Sequence, residues 1–323
     1  MALTKEKLST IGVDLGGTEI KIGLVDEDGA VLFINRYPTD SYKGPEEIIN
    51  GIVENVRALQ NEGRRAQALG IGVAGQVDPS GIVIEAPNLP LTNEPLKSKL
   101  ERHIDLPVMV TNDVRAATFG EWLYGAGKNA KELVVIFVGT GIGGGVVSGG
   151  ELLKGCTNSF GELGHLTLVA KGRKCRCPNW GCLEAYAGGW AIAKRAQEIV
   201  SANPSEGKTL KSLAVGLENI TAKTVSQAYH QGDPLARKLV ERTGHYLGAG
   251  IVGIVNAFNP CLLVLGGGVI EGLPPLVQIV EDLLRKQALK SNAKNLKIAR
   301  ASLQAKAGVI GAAALARNKI TGR

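Results

Sequence analysis

The sequence predicts an α/β protein built as two lobes. At 323 residues the chain is longer than one simple core organises. A strand–glycine-turn–strand pattern occurs twice, at residues 11–24 and again at residues 133–147. Around these units, stretches with helical periodicity alternate with apolar segments of strand length. An apolar content of 44% and a charged content of 21% are ordinary for a soluble globular chain.

In the first lobe, Ile11, Val13 and Leu15 alternate, Gly16-Gly17-Thr18 turns, and Ile20, Ile22 and Leu24 alternate again. Asp26-Glu27-Asp28-Gly29 is a second turn, before Val31, Leu32 and Phe33. A dinucleotide-binding glycine loop or a P-loop must open a helix, so neither fingerprint is met. Pro45 followed by Ile48, Ile49, Ile52, Val53, Val56 and Leu59 reads as an amphipathic helix. Leu69 to Ala74 is a short strand ending at Gly75, and residues 81–84 form another that leads into a loop at Pro87-Asn88-Leu89-Pro90. A helix at about 94–103 and a strand at 108–111 bring the chain to Asn112-Asp113, and residues 114–123 resume as a helix. Such a strand–helix seam is where α/β sheets place chemistry, and Asp113 reads either as a general base or as a helix N-cap. Gly125-Ala126-Gly127 with Lys128-Asn129 marks the boundary. The expected lobes are 1–125 and 126–307, with a helix over about 308–323 packing back on the first.

The second lobe opens like the first. Leu133 to Val138 is a strand, Gly139-Thr140-Gly141-Ile142-Gly143-Gly144-Gly145 a turn, and Val146-Val147 another strand. Beyond Leu183 the pattern is mostly helical, with Asp233-Pro234 a helix start and an apolar run through Phe258. Cys261 to Leu265 is a buried strand closed by Gly266-Gly267-Gly268, and the Ala- and Gly-rich helix at about 308–317 suits close packing on a neighbour.

Between these elements lies the stretch from Glu162 to Glu184, written Glu-x-Gly-His at 162–165 and Cys-x-Cys-x4-Cys-x-Glu at 175–184. His165, Cys175, Cys177 and Cys182 have the count and softness of a structural zinc set, and Pro178 and Gly181 supply turn chemistry between ligands. Two other readings stand beside it. Disulfides are opposed by the strain of an i,i+2 bridge, the odd cysteine count and the lack of an export signal. The four residues could also be unrelated, with His165 a core imidazole. A closed zinc site leaves Glu162 and Glu184 to face a polar ligand, and the alternative makes them solvated acids.

Composition narrows the function classes. Aromatics at 4% argue against a stacking platform for single-stranded nucleic acid. The net charge of +7 owes part of its excess to Arg285, Lys286, Lys290, Lys294, Lys297, Arg300 and Lys306. No base-reading motif accompanies that run, so nucleic acid is not an expected partner. Met1 to Thr10 lacks an apolar signal core and no apolar stretch reaches membrane length, so a cytoplasmic protein is expected, with Cys156 and Cys261 as thiols. Three glycine turns at strand ends bring backbone N–H groups close to phosphate oxygens. Asp14 beside the first is a candidate for hydrated Mg²⁺, and turns in both lobes fit a nucleotide lying between them.

Asp14-Leu-Gly-Gly-Thr-Glu-Ile-Lys21, Asn112-Asp113, Gly139 to Gly145, Glu162-x-Gly-His165 and the Cys175/Cys177/Cys182/Glu184 set occur in the order found in the ROK family. That family comprises bacterial sugar kinases and sugar-responsive repressors of the actin/Hsp70/hexokinase-like (ribonuclease H-like) fold. The resemblance covers about residues 10–317 and is strongest to the family's glucokinases.

It implies an ATP- and Mg²⁺-dependent kinase for the 6-hydroxyl of a hexose, with a structural Zn²⁺. Asp113 would be the catalytic base, with Asn88, Asn112, Glu162, His165 and Glu184 on the other hydroxyls. His165 would serve both zinc and sugar. Gly16, Gly17, Thr18, Lys21, Thr140 and Gly141 would hold phosphates, Gly267 and Gly268 would lie near the adenosine, and Asp14 would organise Mg²⁺. It implies a homodimer or dimer of dimers. Alternative substrates are N-acetylmannosamine, N-acetylglucosamine or fructose, with polyphosphate an alternative donor. A sugar-sensing regulator is disfavoured, because only thirteen residues precede Asp14. Two departures stand out: Pro178 where the family has Gly, and Val114-Arg115 where it has Ala-Asn. Arg115 is expected either to lower the pKa of Asp113 or to reach a phosphate.

Overall fold

Both glycine turns join antiparallel strands in the structure, a computed structural model that describes residues 8–40 and 43–322. Met1 to Lys7, the greater part of the stretch read above as lacking a signal core, lie outside the described residues. The chain divides into two compact units. The first comprises Met1–Asn129, Leu152–Phe160 and Ser302–Arg323, and the second Ala130–Glu151 and Gly161–Ala301. The continuous lobe expected over 126–307 is thus interrupted, because Leu152–Phe160 clusters with the first unit. Arg115 ties it there by donating from Nη1 to the Leu153 carbonyl at 2.9 Å.

The first unit begins with β1 (Ser9–Leu15), β2 (Glu19–Asp26), β3 (Val31–Pro38), α1 (Pro45–Asn61) and β4 (Leu69–Val73). It continues through β5 (Gln76–Val77), β6 (Val83–Ala86), β7 (Leu91–Glu94), α2 (Leu96–Glu101), β8 (Val108–Asn112) and α3 (Asp113–Tyr124). The main sheet has the order β3-β2-β1-β4-β8, with β1, β4 and β8 parallel. Helix α1 buries Ile48, Ile49, Ile52, Val53, Val56 and Leu59, the stripe its periodicity predicted, in one core with the sheet. The loop predicted at 87–90 is the turn of a hairpin within a small β5-β6-β7 sheet. Strands this short carry too little alternation to be read from sequence.

In the second unit, β9 (Leu133–Val138), β10 (Ile142–Ser148) and β11 (Glu151–Leu152) are followed by α4 (Glu184–Ala187), α5 (Gly189–Ala202), α6 (Lys208–Ala214), α7 (Ala222–His230) and α8 (Pro234–Phe258). Then come β12 (Leu262–Gly266), α9 (Gly268–Gly272), α10 (Pro275–Gln287), α11 (Lys290–Lys294) and β13 (Lys297–Arg300). The sheet order is β11-β10-β9-β12-β13, with β9, β12 and β13 parallel. One expectation is corrected here. Gly143, Gly144 and Gly145 lie within β10, so the turn is only Gly139–Gly141. A side chain at 144 would meet Leu163 at 2.7 Å and the Val135 carbonyl at 2.8 Å, so Gly144 serves close approach rather than turning. Asp233 caps α8 by accepting from the Ala236 N–H at 2.8 Å, with Pro234 in the first turn.

The late basic run lies exposed on α10, α11 and β13 and just beyond. Arg285 pairs with Glu281, and Arg300 donates to the Pro274 carbonyl at 3.2 Å, as on a solvated face. Helix α12 (Ala307–Thr321) belongs to the first unit and packs on β1, β4 and α3. Side chains at Gly12 and Gly70 would sit 2.0 Å from the Val309 carbonyl and 1.9 Å from that of Ala312, so the helix backbone rests directly on the strands. Among the described residues, no helix is long and apolar enough to cross a membrane.

Candidate active site

Register places the candidate residues of the first unit. The parallel pairing sets Asp14 beside Gly72 and Gly72 beside Thr111, and sets Leu15 beside Val73 and Val73 beside Asn112. Asp14 and the Asn112-Asp113 seam therefore stand at the carboxyl ends of β1 and β8, on either side of β4. Asn112 is the helix N-cap, its Oδ1 accepting from the Arg115 N–H at 2.9 Å. Its Nδ2 donates to the Gly75 carbonyl at 3.1 Å and to Asp113 Oδ1 at 3.0 Å. Asp113 is the first helical residue, so the capping role that competed with a chemical one falls to its neighbour. Neither expected role of Arg115 is the contact found: its guanidinium is buried and turned to Leu153, and that burial lowers its pKa.

Asp14 faces Lys21 across the β1–β2 ladder, and Lys21 Nζ lies 3.0 Å from Asp14 Oδ2. Lys21 thus meets the acid directly. Thr39 braces the turn between them, its hydroxyl donating to the Gly16 carbonyl at 2.6 Å and its N–H to that of Thr18 at 3.1 Å. Gly17 lets Asn88 approach, since a side chain there would stand 2.7 Å from Asn88 Cβ.

In the second unit, the ligand atoms of His165, Cys175, Cys177 and Cys182 lie within 4.8 Å of one another. Cys177 Sγ is 3.6 Å from Cys182 Sγ, and Cys175 Sγ is 3.7 Å from His165 Nδ1. A tetrahedral ion with bonds of about 2.3 Å has edges of about 3.7 Å, so the four residues fit zinc. Among the described cysteines all are unbridged. Burial pushes the Cys175 thiol up to about 12 and raises that of Cys182, so a cation is what would draw both out as thiolates. The loop is shaped by bridges between Thr167 and Cys182 and between Lys174 and Trp180, and by Gly181 at φ +79°.

With Nδ1 turned to the cysteines, His165 Nε2 lies 3.9 Å from Glu162 Oε2. Desolvation raises the pKa of Glu162, with the charge of Glu184 adding to it and His165 opposing. Glu184 differs from the free acid expected. It is buried, its Oε2 accepting from the Ile142 N–H at 2.8 Å and its Oε1 from the Trp190 indole at 2.9 Å. Gly141 makes this possible, because a side chain there would stand 2.3 Å from Glu184 Oε2.

A cavity of about 1210 Å³ opens beside this carboxylate within the second unit. Thr140 and Gly268 line it, as do Trp190, Gln197, Thr221 and Arg176. Gly267, at φ +92°, closes β12 against Val138, whose carbonyl lies 2.5 Å from where its side chain would be. Sequence reasoning missed Trp190 and Arg176. Arg176 was legible as the residue between two zinc ligands; Trp190, alone at a helix start, carries no motif.

The ROK family profile matches residues 10–319. The chain belongs to the ROK family. It is 36% identical to the glucokinase of Streptomyces coelicolor over 311 residues, 95% of this chain and 97% of that enzyme. It is 34% identical to the glucokinase of Thermotoga maritima over 318 residues, 98% of this chain and 99% of that one. Among solved structures it resembles a ROK family glucokinase from Streptomyces griseus in complex with glucose and AMPPNP, with a TM-score of 0.84, 36% identity and coverage of 96% and 99%. The α/β fold is thus that of ROK glucokinases, and the Cys3His set of this ROK chain is compatible with structural zinc.

Proposed function

We propose that the protein is an ATP-dependent glucokinase that phosphorylates the 6-hydroxyl of glucose. The observation that carries this reading is the likeness to a glucokinase with glucose and AMPPNP bound, extending over 96% of the chain. The side chains described above are of the kinds the reaction needs.

Phosphoryl transfer asks for positioning, charge neutralisation and exclusion of water. Asp113, the first residue of α3, is the base. It takes the proton of the 6-hydroxyl as the oxygen–γ-phosphorus bond forms and the bond to the β-phosphate bridge breaks, releasing ADP. Asn112 holds Asp113 Oδ1 and so fixes its orientation. Asn88, Asn112, Glu162, His165 and Glu184 bind hydroxyls. Zinc held at Nδ1 would leave the proton of His165 on Nε2, which would make that nitrogen a donor to sugar. Gly16, Gly17, Thr18, Thr140 and Gly141 hold phosphates, and Gly267 and Gly268 border the adenosine. Asp14, paired with Lys21, would hold hydrated Mg²⁺, which neutralises phosphate charge when bound. A cytoplasmic homodimer or dimer of dimers belongs to the same reading.

A coupled ADP assay over glucose, N-acetylmannosamine, N-acetylglucosamine and fructose, with ATP or polyphosphate as donor, tests it. The expected result is ATP-dependent turnover highest with glucose. Absence of sugar-dependent ADP release with every sugar overturns it.

A further inference from the structure

Trp190, in the first turn of α5, bridges two features of the second unit. Its backbone N–H donates to the Thr140 carbonyl at 3.0 Å, which seats it against the glycine turn. Its indole N–H donates to Glu184 Oε1 at 2.9 Å. Its ring lines the cavity, with the Arg176 guanidinium 4.9 Å from the ring centroid. Glu184 is held on its other oxygen by the Ile142 N–H at 2.8 Å, so the indole supplies one of the two contacts that fix the carboxylate.

We propose that Trp190 is a positioning residue that couples the two substrates, transmitting occupancy of the cavity by a nucleotide to the orientation of Glu184. The inference rests on the glucokinase reading, which gives the cavity to ATP and Glu184 to the sugar. Arg176 is drawn both to the ring face and to phosphate. A nucleotide that fills the cavity and engages Arg176 fixes the ring, and a fixed ring holds its N–H on Glu184. Glucose therefore binds more tightly to the nucleotide-loaded form, and by linkage the nucleotide binds more tightly in the presence of glucose by the same factor.

The test uses the full chain with AMPPNP and glucose, measuring each affinity by calorimetry with and without the other, beside steady-state kinetics. Trp190→Phe keeps an aromatic face but removes the indole N–H together with the pyrrole part of the ring. It is expected to raise the glucose KM at saturating ATP about tenfold, the scale of one hydrogen bond to a charged group. AMPPNP binding at saturating glucose should weaken by the factor of coupling lost, with AMPPNP affinity without glucose within about twofold and the coupling factor reduced to about one. Arg176→Ala, at an exposed position, is expected to raise the ATP KM about fivefold and to reduce the coupling, with the glucose KM in the absence of coupling unchanged. Coupling that survives Trp190→Phe undiminished overturns the proposal, as does a rise in the ATP KM without one for glucose. A parent protein that releases no ADP with any sugar instead removes the reading beneath it.

Discussion

The two strand–glycine-turn–strand units use one local pattern for different ends. In the first unit the turn after β1 stands between an ion pair, Asp14 with Lys21, and the exposed side chain of Asn88. In the second, the turn after β9 is occupied by a buried carboxylate: Glu184 takes the space a side chain at Gly141 would need and binds the next N–H but one from Thr140, that of Ile142. The supports differ as well. The small sheet bearing Asn88 is braced at its β5–β6 turn by Asp78, which accepts from Ser80 and Ile82 N–H groups at 2.9 and 2.8 Å. The stretch bearing Glu162 and His165 is closed by His165, Cys175, Cys177 and Cys182, four side chains placed compatibly with a structural zinc. A repeated turn therefore does not carry its own chemistry; the segment that folds over it does.

The largest expected effect tests the first unit. Asp113→Asn should lower kcat about 10³-fold while glucose affinity measured by calorimetry stays within about threefold. Turnover near the parent value would remove the base from this unit. Next, Cys177→Ser should abolish stoichiometric zinc and destabilise the protein by about 4 kcal/mol or more, read by metal analysis and calorimetric melting. An unchanged Tm in metal-free protein would erase the contrast between the two supports.

The glycines sharpen the comparison at smaller scale. Gly141→Ala displaces Glu184 and should raise the glucose KM about tenfold, about 1.4 kcal/mol. Gly17→Ala presses on an exposed turn that yields more easily, with about a threefold rise in KM expected. Equal effects would mean that the turns are interchangeable. The smallest effect is Asp78→Ala. Hydrogen bonds from Ile82 and then Ser80 hold the Asp78 pKa below its ordinary value. Its stabilisation is present above the unfolded-state carboxyl pKa and is lost as pH falls through the folded one. The Tm difference seen near neutrality should therefore begin to shrink as pH falls below about 4 and go on shrinking through the lower folded-state pKa.

The principal strands and helices of both units were legible because they follow period 2 or 3.6 with clear punctuation, as α1 and α8 do. The reach of β10 was not, since Gly143 to Gly145 look like a turn until a partner is known to press on them. The candidate ligand set was readable from its donor types and their closeness in sequence, though disulfides and unrelated residues stood beside zinc until the four ligand atoms were seen within 4.8 Å of one another. The engagement of Glu184 by Trp190 and the diversion of Arg115 to Leu153 were not readable, because each depends on a tertiary neighbour six or more residues away.

The position of α12 bears on biosynthesis. The strands of the first unit leave the ribosome early, yet β1 and β4 remain uncovered on one face until residues 307–321 follow. Residues 161–301, the bulk of the second unit, are by then already out of the exit tunnel. The half made first is thus finished last, and a nascent chain stalled or clipped just before α12 leaves the glycine-lined face of that sheet bare for chaperones or proteases to find.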